Sequence, residues 1–183
     1  IFLAVVATLR LYLRALDVKT AFLYGELPKD CNVYMRPPPG FKIPDDTVLK
    51  IVKSLYGLKN APRIWFQVLC SFLSDCKFTQ SELDPCLFYF RKDSLFAMMV
   101  FVVDDIIFAS TSQIFNDNLV KKFRARFKIK DMGVPKYILG IHIDYDREKG
   151  VLKLNQERYI KAVAKPFGFH DAKGTSMPHN TTK

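Results

Sequence analysis

Histidine and tryptophan are scarce in this 183-residue chain, at three copies and one, and acidic side chains number only 18 against 28 Lys and Arg. The four cysteines, Cys31, Cys70, Cys76 and Cys86, form no C-x-x-C pair, and His142, His170 and His179 all lie far from them in sequence. A zinc site is therefore not expected. The cysteines read instead as small buried hydrophobes of a reducing compartment. The longest uncharged runs, residues 1–9 and 94–103, fall well short of the roughly 20 apolar residues that cross a bilayer. Residues 1–6 have no basic leader, which argues against a signal peptide. No initiator Met is present and residue 1 already stands in an apolar run, so a truncated N-terminus is expected. No internal repeat is visible.

What remains is a globular composition, 49% hydrophobic and 25% charged, in a chain long enough for one good core. The net charge of +10 favours polyanionic partners, because each Lys or Arg that meets a phosphate releases condensed counterions.

The patterning mixes strands and helices without regular alternation. Residues 1–15, with apolar positions broken by Arg10 and Arg14, predict a partly buried helix, and 16–23 a short strand with Asp17 near its start. Pro28 and the Pro37-Pro38-Pro39-Gly40 cluster predict loops, and 48–52 another strand. Apolar positions at Trp65, Val68, Leu69, Phe72 and Leu73 follow helical spacing over 63–75. Segments 86–90, 95–103 and 106–109 predict a three-strand meander. A helix follows, with Ser110, Thr111 or Ser112 as N-cap and a stripe of Phe115, Leu119, Phe123 and Phe127. Segments 137–145 and 151–154 predict a hairpin, and 156–165 a last helix ended by Pro166 and Gly168. The small, polar tail from Ala172 is expected to fray. The sum is an α+β domain, an antiparallel sheet with helices packed on one face.

Asp104 and Asp105 interrupt one of the most apolar stretches of the chain. Buried unpaired carboxylates cost several kcal/mol each, so this pair must reach water or a cation. A tight turn between strands satisfies either need, and an ordinary acidic turn is the alternative to a metal site. Asp17, on an earlier apolar segment, supplies a third carboxylate. Two-metal nucleotidyl transfer requires such a set, with oxygen donors suited to Mg²⁺. Spacing alone does not bring Asp17 to the pair.

The run Leu16-Asp17-Val18-Lys19-Thr20-Ala21-Phe22-Leu23 closely resembles a block of the reverse transcriptases of Ty1/copia-type retrotransposons. So do Tyr34-Met35, Pro39-Gly40-Phe41 and the stretch from Lys53 to Arg63. Val103-Asp104-Asp105 matches the family's Y-V-D-D box, and Lys130-Asp131-Met132-Gly133 and Ile138-Leu139-Gly140-Ile141 match its later blocks. Together they cover residues 1–178, leaving 179–183 as a tail.

The resemblance implies an RNA-directed DNA polymerase segment of a copia-type Pol polyprotein: the palm, with incomplete fingers and thumb. It implies Asp17, Asp104 and Asp105 as catalytic carboxylates holding two Mg²⁺ ions, or Mn²⁺. Thr20 and Ala21 would hold the triphosphate and Phe22 would exclude a 2′-hydroxyl as steric gate. Tyr56 and Gly57 would approach nucleotide and template. Lys128 or Lys130 would protonate the leaving pyrophosphate, and Val102, Leu139 and Gly140 would position the primer end. The implied partners are an RNA or DNA template with primer, dNTP, and the integrase and RNase H segments of a full-length element, with no membrane. The implied setting is intracellular, in a cytoplasmic particle or the nucleus. Val102 departs from the family pattern by replacing the tyrosine of the box, which predicts impaired primer positioning with metal binding retained. Two rival readings are an inactive remnant that only binds nucleic acid and a metal-dependent nuclease.

Overall fold

The computed structural model describes residues 1–44 and 46–169; the tail expected to fray lies outside the described residues. In chain order the elements are α1 (Phe2–Thr8), β1 (Tyr12–Val18), a 3-10 turn (Ala21–Tyr24), β2 (Tyr34–Met35), β3 (Leu49–Lys50) and α2 (Ala61–Asp75). Next come β4 (Thr79–Gln80), β5 (Leu87–Lys92), β6 (Leu95–Val102), β7 (Asp105–Ser110) and α3 (Gln113–Arg126). They are followed by β8 (Ile129–Gly133), β9 (Tyr137–Ile138), β10 (Ile141–Asp146), β11 (Val151–Asn155) and α4 (Glu157–Ala164), and Lys165–Phe167 forms a second 3-10 turn.

The predicted meander is present as β5-β6-β7. It forms the middle of an antiparallel sheet ordered β4-β5-β6-β7-β1-β8. A smaller sheet, β11-β10-β9, and the pair β2-β3 complete the strands. The architecture is mixed α and β with antiparallel sheets, as expected.

The N-terminal segment differs from its reading. The helix stops at Thr8, and β1 begins at Tyr12, placing Asp17 near the end of its strand. The stop is a reversed-turn cap: Leu11 N–H donates to Val6 O, Arg10 N–H donates to Ala7 O, and Arg10 takes φ +51°. Glycine usually fills that position. Here Arg10 fills it, so the sequence carries no stop signal. Beyond it, Leu11, Leu13 and Ala15 alternate with Tyr12, Arg14 and Leu16 at the two-residue period of a strand. After Val18 the chain turns into the 3-10 segment, and the strand expected over 16–23 ends there.

Both faces of the large sheet are covered. Leu16, Val18, Met99, Phe101, Ile106 and Phe108 meet Trp65, Leu69 and Leu73 of α2 and Leu119 and Phe123 of α3. On the opposite face Leu13, Ala15, Met98, Ile107 and Ala109 meet Val6 of α1, with Ile138 and Tyr145 alongside. The Tyr145 hydroxyl donates to Val6 O and Leu11 O at 3.1 and 2.9 Å. Helices on one face only is therefore a correction: α1 and the smaller sheet take the other side. The cause is the near-continuous apolar character of β6 and β7, which a half-solvated sheet would not tolerate.

Among the three candidate caps, Ser112 is the one that caps α3, accepting from Phe115 N–H. α2 starts two residues earlier than predicted and takes Pro62 into its first turn, where the missing N–H costs nothing. Of the cysteines only Cys76 is buried; Cys31, Cys70 and Cys86 are half-buried and free, which corrects the reading of all four as buried. Burial raises the thiol pKa of Cys70, Cys76 and Cys86, which keeps them protonated. Among the described residues no helix is long and apolar enough to cross a membrane.

The 3-10 turn packs against α2 through Gly25. A Cβ built on Gly25 would stand 2.1 Å from Ile64 Cγ2, a branched methyl in a helix that cannot swing away. Gly25→Ala is therefore expected to lower unfolding stability by about 1–3 kcal/mol, read by urea denaturation.

Candidate active site

Asp17 and Asp105 are register partners across β1 and β7. The next pair along, Val18 and Asp104, is joined by Val18 N–H donating to Asp104 O at 2.9 Å. In an antiparallel ladder hydrogen-bonded and non-hydrogen-bonded pairs alternate, so Asp17 and Asp105 form a non-hydrogen-bonded pair, with Cα atoms about 4.5 Å apart and side chains adjacent. The same row continues on both sides, since Val102 is the partner of Asp105 on β6 and Lys130 the partner of Asp17 on β8. Side chains in one row share a face. Val102, Asp105, Asp17 and Lys130 therefore line up across four strands, on the α1 side of the sheet.

Asp104 lies in the two-residue turn Val103-Asp104 that joins β6 to β7. Loss of hydration, and then the negative charges of Asp104 and Asp17, push the Asp105 carboxyl above the usual carboxylate range. Lys19 Nζ sits 2.7 Å from Asp17 Oδ1, and that hydrogen bond raises its pKa. Lys128 lies opposite Lys19, where Lys19 N–H donates to Lys128 O at 2.8 Å. Lys130, by contrast, is in register with Asp17 itself.

Among the described residues no three His, Cys, Asp or Glu side chains form a ready-made metal cage. The donor set nevertheless suits a hard divalent cation. It consists of carboxylate oxygens only, it is crowded with like charge, and Asp17 already draws in an ammonium group.

The remaining predicted residues divide into those near the acids and those near the 3-10 turn. Leu139 and Gly140 form the two-residue turn between β9 and β10, both with positive φ. Leu139 lines a cavity of about 360 Å³ together with Asp17, Asp105, Ile107, Met132 and Tyr137, whereas Gly140 faces a different hollow beside His142. Thr20, at φ +52°, starts the 3-10 turn, and Ala21 behind it is fully buried. The Phe22 ring packs 4.6 Å from that of Tyr56, so these two meet even though 34 positions separate them in the numbering. Gly57 has φ +95°, a conformation that side-chain-bearing residues rarely adopt.

A family model described as reverse transcriptase (RNA-dependent DNA polymerase) matches residues 1–181. The chain belongs to the reverse transcriptase family. Its curated relatives are transposon polyproteins. It is 36% identical to the Retrovirus-related Pol polyprotein from transposon TNT 1-94 of Nicotiana tabacum, over 96% of this chain and 13% of that protein. To the corresponding polyprotein from transposon RE1 of Arabidopsis thaliana it is 36% identical, over 91% of this chain and 11% of that one. To that from transposon RE2 of the same plant it is 33% identical, over 93% and 12%. The chain thus spans about an eighth of the length of these relatives. The resemblance of its sequence blocks to retrotransposon reverse transcriptases holds. Enzymes of this family generally use divalent metal ions.

Two features of this reverse transcriptase segment left no trace in the sequence reading. Trp65 was legible only as one apolar position of a helix, yet its indole Nε1–H donates to Val103 O at 2.6 Å, directly behind the acidic turn. In the sequence Arg14 stands out only as an interruption of the apolar positions of residues 1–15. It forks onto Asp131, from Nε to Oδ1 at 3.0 Å and from Nη2 to Oδ2 at 2.6 Å, and also bonds Asp117 of α3. Asp131 in turn accepts from Gly133 N–H at 3.0 Å. The Lys130-Asp131-Met132-Gly133 block is thereby anchored to β1. A charged residue at an even position of β1 could have signalled a partner on the helix side.

Proposed function

We propose that this chain is the palm segment of an RNA-directed DNA polymerase, adding deoxynucleotides to a primer 3′-hydroxyl on an RNA or DNA template. The observation that carries the reading is the register of β1 and β7, which sets Asp17 beside Asp105 with Asp104 next in the turn. These three carboxylates supply the oxygen donors for two Mg²⁺ ions, or Mn²⁺. Bound there, the cations would steady the attacking 3′-oxygen and the leaving pyrophosphate.

The chain's own groups do the positioning. Phe22, backed by Tyr56, lies under the sugar and leaves no room for a 2′-hydroxyl. Thr20 and Ala21 turn the backbone beneath the triphosphate, and Gly57 lets the neighbouring chain approach it closely. Lys130 is favoured over Lys128 as proton donor to the leaving pyrophosphate, because it shares the row of Asp17. Leu139 overhangs the cleft where the primer end belongs, and Val102 offers that end an apolar contact without a hydroxyl. In a full-length Pol polyprotein, integrase and RNase H segments would accompany this one.

Primer extension on poly(rA)/oligo(dT) with Mg²⁺ tests the reading, with Asp104→Asn as comparison. Equal incorporation by the two proteins would remove the site. Phe22→Ala is expected to relax discrimination against ribonucleotides by roughly 10- to 100-fold, measured as the ratio of kcat/KM for dTTP and UTP. Val102 favours a second reading, a segment that grips nucleic acid through its basic surface without polymerising. Salt-dependent binding to primer–template with no incorporation would be its signature.

A further inference from the structure

We propose that Trp65 is a positioning residue that latches the hairpin bearing Asp104 and Asp105, and that its emission reports cation binding there. The inference rests on the polymerase reading of those carboxylates and deepens it.

The turn between β6 and β7 has only two residues, and the first is a β-branched residue in left-handed space, Val103 at φ +57°. Such a residue costs free energy to hold, so the surrounding structure must over-determine it. Two bonds from different elements do so. The Trp65 indole on α2 donates to Val103 O, and Val18 N–H on β1 donates to Asp104 O. Successive peptide planes are thereby fixed, and with them the directions in which the Asp104 and Asp105 side chains leave the backbone.

The latch itself is rigid. Trp65 is 1% exposed and its ring closes a triangle of aromatics with Tyr24 and Phe127, at centroid distances of 6.0 and 5.4 Å, while those two rings meet each other at 5.1 Å. The Tyr24 hydroxyl accepts from Lys128 N–H, which ties the same aromatic cluster to the start of β8. A buried indole usually finds a hydrogen-bond partner, and any carbonyl would satisfy it. This one has taken the carbonyl of the residue next to the candidate metal ligands. A cation drawing on Asp104 and Asp105 would therefore load the Val103 peptide and change the indole's hydrogen bond.

Trp65 is the only tryptophan in the chain, so its fluorescence is unambiguous and it can be replaced biosynthetically by an isostere. The experiment compares three proteins: the wild type, Asp105→Asn, and wild type carrying 3-benzothienylalanine at position 65, which keeps the ring shape and puts sulfur in place of N–H. Mg²⁺ titration is followed by emission, Mn²⁺ affinity by electron paramagnetic resonance, and fold by far-UV circular dichroism. The expected result is a saturable emission change in the wild type that Asp105→Asn lacks. The isostere should keep the fold and bind Mn²⁺ roughly fivefold more weakly, the size of one net hydrogen bond. If it binds Mn²⁺ as the wild type does, the latch is overturned and the carboxylate site stands. If the wild type binds no Mn²⁺, or Asp105→Asn binds it equally well, the carboxylate reading fails and takes the latch with it. Should the isostere not fold, Trp65→Phe with the same Mn²⁺ measurement decides between the same outcomes.

Discussion

Asp17→Asn is expected to cut nucleotide incorporation by roughly 10²- to 10³-fold or more while leaving the fold intact, the loss that follows removal of one preorganised charge-stabilising group. The substitution keeps the side-chain shape and one acceptor oxygen and removes only the charge. Because Asp17 stands beside Asp105, whose carboxyl is pushed up first by loss of hydration and then by the charges of Asp104 and Asp17, neutralising one of the pair relieves repulsion. Thermal stability should therefore hold steady or rise as activity falls. A residue kept for structure would show the opposite coupling. Asp75→Asn, an exposed carboxylate at the far end of α2, serves as the control and should change neither quantity. Wild-type rates in Asp17→Asn would remove β1 from the chemistry.

The second large effect concerns the scaffold. Arg14→Ala is expected to cost about 2–4 kcal/mol of unfolding free energy at pH 7, somewhat less than loss from a fully buried pair because the side chains keep partial contact with water. The guanidinium holds Asp131 in a two-pronged grip and reaches Asp117 as well, so its loss strands a mostly buried carboxylate. The hydrogen bond from Arg14 holds the Asp131 carboxyl below its usual value. A depressed carboxylate contributes stability above its unfolded pKa of about 3.9, and that contribution fades as pH falls through the lower folded value. The difference between wild type and Arg14→Ala should thus be full at neutral pH and shrink below about pH 4. Urea titrations at pH 7 and pH 3 measure it. A constant gap would mean that Arg14 acts through packing alone.

Much of the fold was legible because its signals are local. The helical stripe from Trp65 to Leu73, the meander, the serine cap of α3 and the closing hairpin each announce themselves within one short continuous stretch of chain. The start of β1 was hidden because Arg10, two residues past the end of α1, takes the conformation that glycine normally advertises. β8 was hidden by its position on the sheet edge, where Lys130 and Asp131 interrupt any apolar pattern. One-sided packing was inferred from the irregular mixing of strands and helices, whereas the unbroken apolar run of β6 carries the signal of a sheet covered on both faces. The acidic residues could be named from their blocks, but their adjacency is a fact of strand register that no local pattern encodes. The Trp65 bond spans 38 positions to a backbone carbonyl, an atom common to every residue, and so leaves no mark in the sequence.

The placing of β1 between β7 and β8 has a consequence for how the molecule comes into being. This strand is made well before either of its neighbours, which follow it by some hundred positions. Arg14 reaches a partner 117 positions onward, and the Tyr12 carbonyl receives the amide of Asn116 from 104 positions away. During translation the first strand must wait with both edges unpaired, and long-range pairings of this kind close slowly. Both edges of β1 can be paired only once residues 105–133 have left the ribosome.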